Sequence, residues 1–266
     1  MNSEDLKAKQ REENLALLKI LRPMDDDFMR CIFKDNTPLV QKVLRILLQN
    51  PTLKITKSET QVDMKRLVGA RSICLDALGI DDTEKKYNIE VQRQDKGAGK
   101  KRARYHSSTL DIDSLDAGDD FDDLPETYVI LITEHDIYKK GLPFYRIERI
   151  NIDTDTPFDD GEHILYINGE YRGDDDIGKL MHDFSCDNAD EMIDKDMAEI
   201  TRYYKETKEG QEAMCKAMED RIEKENIRIR VLDIKTIMEK LTYSAEQAME
   251  FLNIPSSEYP KYKSML

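Results

Sequence analysis

The sequence has no apolar run long enough to cross a bilayer. Its uncharged apolar stretches, such as YVILIT at Tyr128–Thr133, fall far short of the roughly 20 residues a spanning helix needs. It has no paired cysteines either. Cys31, Cys74, Cys186 and Cys215 are scattered with no CxxC spacing, so reduced thiols are expected and a structural zinc site is not. Positive charge is in deficit: 41 Lys and Arg stand against 55 Asp and Glu, a net −14. That balance argues against a surface generally coated by nucleic acid but leaves room for a local basic track. The opening MNSEDLKAKQREEN is charged and lacks the apolar segment of a secretory signal, and a cytoplasmic location is expected. Internal repeats and low-complexity tracts are lacking. The glycines of GEYRGDDDIG have no strand–GxxxxGK–helix context, which excludes a phosphate loop of that kind.

What is present is a mixed pattern of helix and strand. Residues 4–22 are highly charged, with Leu15, Leu17, Leu18 and Leu21 late in the segment and Pro23 closing it. Asn36 or Thr37 can cap a helix with Pro38 in its first turn. Leu39, Val43, Leu44, Leu47 and Leu48 then keep helical spacing on one face. LKITKSETQVDM alternates and is rich in β-branched residues, which favours an extended segment. TYVILITEHD, LPFYRIERINI and HILYINGEYRG form a second alternating group. Helices are expected at 176–183, as two longer stretches between about 189 and 227, and in short amphipathic segments to the end. Ser244 and Gln247 suggest a capping box ahead of AEQAMEFL, with Pro255 as the stop. The run Asp111–Glu126 carries eight acids in sixteen residues and reads as a solvated helix end and loop.

The stretch from Ile73 to Gly97, ICLDALGIDDTEKKYNIEVQRQDKG, breaks the usual pattern. Two apolar runs of period two flank a polar turn and predict an antiparallel hairpin. With the turn near Thr83, Asp76 faces Glu90, Leu78 faces Asn88 and Cys74 faces Gln92. Two ionised carboxylates directly across a sheet repel each other. A magnesium or manganese ion, which prefers hard oxygen ligands, would reverse that penalty. Gln92 projects to the same side and could orient a water, an arrangement suited to metal-assisted hydrolysis of a phosphodiester. The plainer reading is a solvated strand face.

A basic cluster follows at once. Lys96 to His106 holds five Lys or Arg and no acid. Lys100, Lys101, Arg102 and Arg104 either contact phosphates or form a solvated first turn of the helix predicted over AGKKRARYHSSTLDIDSLDAG. Arg102 and Tyr105 share a helix face. No arginine reads as a base-specific contact, so weak sequence selectivity is expected. His106, His135, His163 and His182 are widely separated and read as surface or hydrogen-bonded side chains. Met192, Met197, Met214 and Met218 read as core filler.

The arrangement LDAL…YNIEVQRQDKGAGKKRARYHSSTLD closely resembles the PD-(D/E)xK nuclease family of transposase-like proteins, recombination-promoting nucleases of bacteria. RPMDDDFMRCIFKDN, TQVDMKRLVGARSICLD, ITEHDIYKKGLPFYRIER and ILYINGEYRGDDDIGKLMHDFSC resemble further blocks of that family, over roughly residues 20–205. The resemblance implies an α/β, restriction-endonuclease-like core, a mixed central sheet flanked by helices, with a helical C-terminal extension. It implies a catalytic set of Asp76, Glu90 and Gln92, with Asp76, Glu90 and the Val91 carbonyl as metal ligands. Gln92 stands where many nucleases of the wider superfamily carry lysine. Glutamine cannot act as a cationic stabiliser or shuttle a proton, but it can hold a water. The resemblance also places an acid of the first core helix near the site, from among Asp25, Asp26 and Asp27; a helix cap is the other reading of that trio.

Three segments are expected: a charged helical segment at 1–22, the nuclease-like domain at 23–205 and a helical extension at 206–266. The extension suits a helix-turn-helix-like unit or a packing or dimerisation arm that would make a homodimer. The function expected is a Mg2+-dependent DNA endonuclease, with Mn2+ as an alternative ion, linked to recombination or mobile elements. The basic helix and Tyr105 would grip the DNA backbone. Two rivals remain: a nucleic-acid-binding relative whose catalytic site has decayed, and a structural or interaction protein.

Overall fold

The computed structural model describes residues 3–64, 73–93 and 95–266. Part of the block Thr60–Asp76 therefore lies outside the described residues. The chain divides into two compact units, Met1–Met214 and Cys215–Leu266.

In the first unit, helices α1 (Ser3–Ile20), α2 (Asp26–Phe33) and α3 (Thr37–Leu47) precede the sheet. α3 starts where the sequence signals it: Asn36 Oδ1 accepts the Leu39 N–H at 3.2 Å and Pro38 sits in the first turn. Its buried stripe is Leu39, Val40, Val43, Leu44 and Leu47. Leu48, expected on that stripe, is the C-cap residue instead. The strands are β1 (Ile55–Asp63), β2 (Cys74–Asp81), β3 (Lys86–Gln92), β4 (Thr127–Thr133), β5 (Phe144–Ile147) and, after the short hairpin β6 (Ile150–Asn151) and β7 (Thr156–Pro157), β8 (Glu162–Asn168). Six of them form one mixed sheet in the order β1-β2-β3-β4-β8-β5. β1, β2 and β3 run antiparallel, β3–β4 and β4–β8 are parallel, and β5 closes the edge antiparallel to β8.

A parallel neighbour needs a crossover. Between β3 and β4 that is a 3-10 turn, Asp95–Ala98, followed by helix α4 (Lys100–Ser114). Ala103 and Leu110 of α4 are buried in one cluster with Leu78, Val129, Leu131 and Tyr166 of the sheet. The acidic run after α4 is exposed. β4 departs from the alternation read in the sequence: Val129, Ile130, Leu131 and Ile132 are all buried. A central strand covered on both faces needs no polar side, so its apolar run is continuous.

Helices α5 (Asp176–Ser185) and α6 (Lys195–Glu206) follow, each with an aspartate N-cap, Asp175 and Asp194. Helix α7 (Lys208–Leu241) begins in the first unit and runs on through much of the second. The sequence reading ended it near residue 227, but neither Pro nor Gly interrupts 211–241, and the β-branched Ile227, Ile229 and Val231 cost only tenths of a kcal/mol each. In the second unit Ile234, Ala248, Met249, Ile254 and Tyr262 form a small core from α7, α8 (Ala245–Phe251), the connection after it and α9 (Tyr259–Lys263). The Ser244–Gln247 capping box is present in full. Pro255 lies beyond the end of α8 at Phe251, and Asn253 takes a left-handed φ of 53° just after it.

Candidate active site

β2 and β3 pair from Ile80 opposite Lys86 through Ala77 opposite Ile89, with Leu78 opposite Asn88. One residue further on, Asp76 and Glu90 face each other, and the backbone ladder gives way to side chains. The Asp76 N–H donates to Glu90 Oε1 at 3.3 Å, and the Val91 N–H donates to Asp76 Oδ2 at 3.4 Å. Backbone N–H and C=O of one extended residue point toward the same neighbouring strand. The Val91 carbonyl thus lies along the edge on which its N–H meets Asp76.

Both acids are out of solvent, Asp76 at 4 % and Glu90 at 0 % exposure. Burial, the facing Glu90 and nearby Asp26 push Asp76 well above the usual carboxylate range, partly offset by Arg30. Burial also acts to raise Glu90. There the contacts with His106, the Asp76 amide and Arg102 outweigh it and hold the acid below its ordinary value.

The partners come from two helices. From α2, Arg30 places Nε and Nη2 at 3.2 and 2.5 Å from Asp76 Oδ1, and Nη2 at 3.1 Å from Asp26 Oδ2. From α4, Arg102 Nη2 lies 3.5 Å from Glu90 Oε2 and its Nε donates to His106 Nε2 at 3.3 Å. His106 Nδ1 lies 3.4 Å from Glu90 Oε1 and 3.2 Å from Asn88 Nδ2. Gln92 turns its carboxamide onto Gly97 in the 3-10 turn, where a Cβ would overlap Gln92 Oε1 and lie 3.0 Å from its Cδ.

Of the basic residues on α4, Arg102 is the one joined to the acid pair among the described residues. Lys100, Lys101 and Arg104 are exposed, with the Lys100 ammonium 5.7 Å from the Tyr138 ring centroid. Tyr105 is 39 % exposed. The acidic trio divides. Asp25 holds the N-cap position of α2 without capping it through its side chain; its carboxylate accepts the Arg22 N–H at 2.7 Å and pairs with Arg93 at 2.8 Å. Asp26 is the member tied to the site, through Arg30.

Arg30 and His106 escaped the sequence reading. Of the two alternatives that the sequence leaves for His106, surface or hydrogen-bonded, the second holds, with bonds to Asn88 and Arg102; its burial at 3 % against Glu90 is the unexpected part. Its spacing of four from Arg102 on α4 was the available signal. Arg30 gave none: a lone arginine between Met29 and Cys31 reads as the polar edge of an amphipathic helix.

A model of the PD-(D/E)XK nuclease family transposase matches residues 28–171, 144 of the 266 residues. The chain belongs to this family. No curated protein and no solved structure matches it. The PD-(D/E)XK match carries a nuclease- or transposase-like role, and nucleases of this family generally use divalent metals. The site here fits such an ion in its donor chemistry. Two buried carboxylates supply hard oxygen ligands, and their mutual repulsion is what a cation would relieve. Asn88 Oδ1, on the same face, is buried with no hydrogen-bond partner. No described helix is long and apolar enough to cross a membrane.

A second group of ligand-type side chains, His182, Asp183 and Cys186, lies at the end of α5. The four-residue spacing of His182 and Cys186 is invisible when histidines are counted alone. Asp183 is fully buried, and its Oδ1 and Oδ2 accept the N–H groups of Ile193 and Asp194 at 2.8 and 2.7 Å. Both oxygens anchor the turn into α6, which accounts for the buried acid without a metal.

Proposed function

We propose that this PD-(D/E)XK protein is a metal-dependent DNA endonuclease that hydrolyses phosphodiester bonds, with Mg2+ or Mn2+ as its ion. The observation that carries the proposal is the buried Asp76–Glu90 pair at the splayed end of β2 and β3. Asp76, Glu90 and the Val91 carbonyl would hold the ion. A divalent cation there supplies the Lewis acidity that activates water and stabilises charge on phosphorus. Gln92 orients the water by hydrogen bonding, and Arg102 and His106 fix the Glu90 carboxylate. Lys100, Lys101, Arg104 and Tyr105, exposed on the same helix as Arg102, grip the DNA backbone with little sequence selectivity. The protein acts in the cytoplasm, in DNA recombination or the movement of mobile elements.

One observation favours a second reading. Arg30 already pairs with Asp76, as it would in a relative that binds nucleic acid without cleaving it. Cleavage of supercoiled plasmid in Mg2+, Mn2+ or chelator, run beside Asp76→Ala and Glu90→Ala, separates the two. Metal-dependent nicking lost in both variants is the expected result. Inert wild type with intact DNA binding would leave the second reading in its place.

A further inference from the structure

We infer that Arg30 is a displaceable counter-ion: it holds Asp76 in the metal-free protein, yields Asp76 to the incoming metal, and then supplies to the DNA phosphate the positive charge that Gln92 cannot. The inference rests on the proposed nuclease reading.

Four features of the site carry it. Both guanidinium contacts to Asp76 fall on one oxygen, Oδ1, while Oδ2 takes the Val91 N–H. The pair is therefore end-on, and lacks the two-oxygen fork that makes an Arg–carboxylate bridge hard to open. Arg30 is also a single charge held by two acids, Asp76 and Asp26, with Glu90 raising Asp76 from across the strands; a divalent cation balances the buried Asp76–Glu90 pair better.

The third feature is a tether. Asp26 is one helical turn before Arg30 and binds the same Nη2, so a guanidinium released from Asp76 stays at the site. Its side chain is 18 % exposed, enough of an opening to meet a phosphate. The fourth is the vacancy in the chemistry. The strand residue two beyond Glu90 is a neutral amide, and a planar guanidinium is well matched to phosphate oxygens. Arg102, the other cation at the site, lies 3.5 Å from Glu90 and is 44 % exposed; it serves as the comparison.

The test uses the full chain and two readouts that do not involve cleavage. Mn2+ affinity is measured by calorimetry. Binding of a short labelled duplex is measured by fluorescence anisotropy in Ca2+, which takes the same oxygen ligands with looser geometry. Arg30→Gln is expected to tighten Mn2+ binding about ten- to a hundredfold, the range set by the charge-assisted hydrogen bonds removed. It should weaken duplex binding about tenfold at low salt and flatten the salt dependence. Arg102→Gln should tighten Mn2+ less. Unchanged Mn2+ affinity in Arg30→Gln overturns the inference, and so does unchanged duplex binding. Should Arg30→Gln fail to fold, Arg30→Lys keeps the charge but not the reach to both acids, and intermediate shifts in both readouts are expected; wild-type values in both overturn it. Failure of the nuclease reading looks different: wild type would then show no Mn2+ binding that Asp76→Ala abolishes.

Discussion

Gly97→Ala should disable Gln92 without touching an ionisable group. The Gly97 backbone lies outside the left-handed region, so alanine suits its 3-10 turn. The added Cβ, however, would overlap Gln92 Oε1 and crowd Cδ at 3.0 Å. Ordinary carbon contacts are about 3.5–4.0 Å. The carboxamide must swing by more than about 1 Å, and because it is the end of a flexible side chain the cost is a poorer rotamer, about 0.5–1.5 kcal/mol. Thermal melting should therefore move by only a few degrees. If Gln92 holds the attacking water, a misplacement of that size costs about a hundredfold in rate. Plasmid nicking rates for wild type, Gly97→Ala and Gln92→Ala under saturating Mg2+ decide it. Both variants should be slow while retaining metal binding. A Gly97→Ala protein as fast as wild type beside an inactive Gln92→Ala would refute the packing argument, and wild-type rates in both would remove Gln92 from the mechanism.

Two further predictions concern buried acids. Asp76 has a raised pKa, so its contribution to stability is fully present below the unfolded value of about 3.9 and is lost as pH rises through the folded value. Glu90 is lowered and has the opposite sign. Melting in chelator should thus decline as pH rises from about 3.9 through the raised Asp76 value and level off above it, a decline that Asp76→Asn or added Mn2+ removes; an identical decline in Asp76→Asn would show another group to be responsible. Asp183→Ala should cost about 3 kcal/mol in urea unfolding, the worth of two hydrogen bonds to a carboxylate, and any effect of chelator on the midpoint should be the same in wild type and Asp183→Ala. A loss below about 1 kcal/mol, or a chelator effect absent from Asp183→Ala, would overturn the anchoring role.

Local rules were enough for the hairpin, because its register depends only on a two-residue period and a polar turn, and Leu78 does face Asn88. They failed for β4, whose burial depends on what covers it from elsewhere in the chain. The site divides the same way. Its acids sit on adjacent strands and can be read from sequence, whereas Arg30 reaches Asp76 across 46 residues, a separation no periodicity encodes. What singles out this pair is how its burial is met. Asp81 is also buried, but it accepts the Thr83 and Lys85 N–H groups and the Tyr87 hydroxyl, which hold it below its ordinary value despite desolvation. Asp183 likewise accepts two backbone N–H groups. Those two acids build a turn and an anchor, and their burial is explained by the fold. Asp76 and Glu90 each accept one long backbone N–H contact across the strands; beyond that they are met by guanidinium groups and a histidine on separate helices, and each crowds the other. A fold that needed only to be stable gains by replacing such a pair with apolar residues. Its presence at the end of β2 and β3 is the physical ground on which the proposed nuclease site rests.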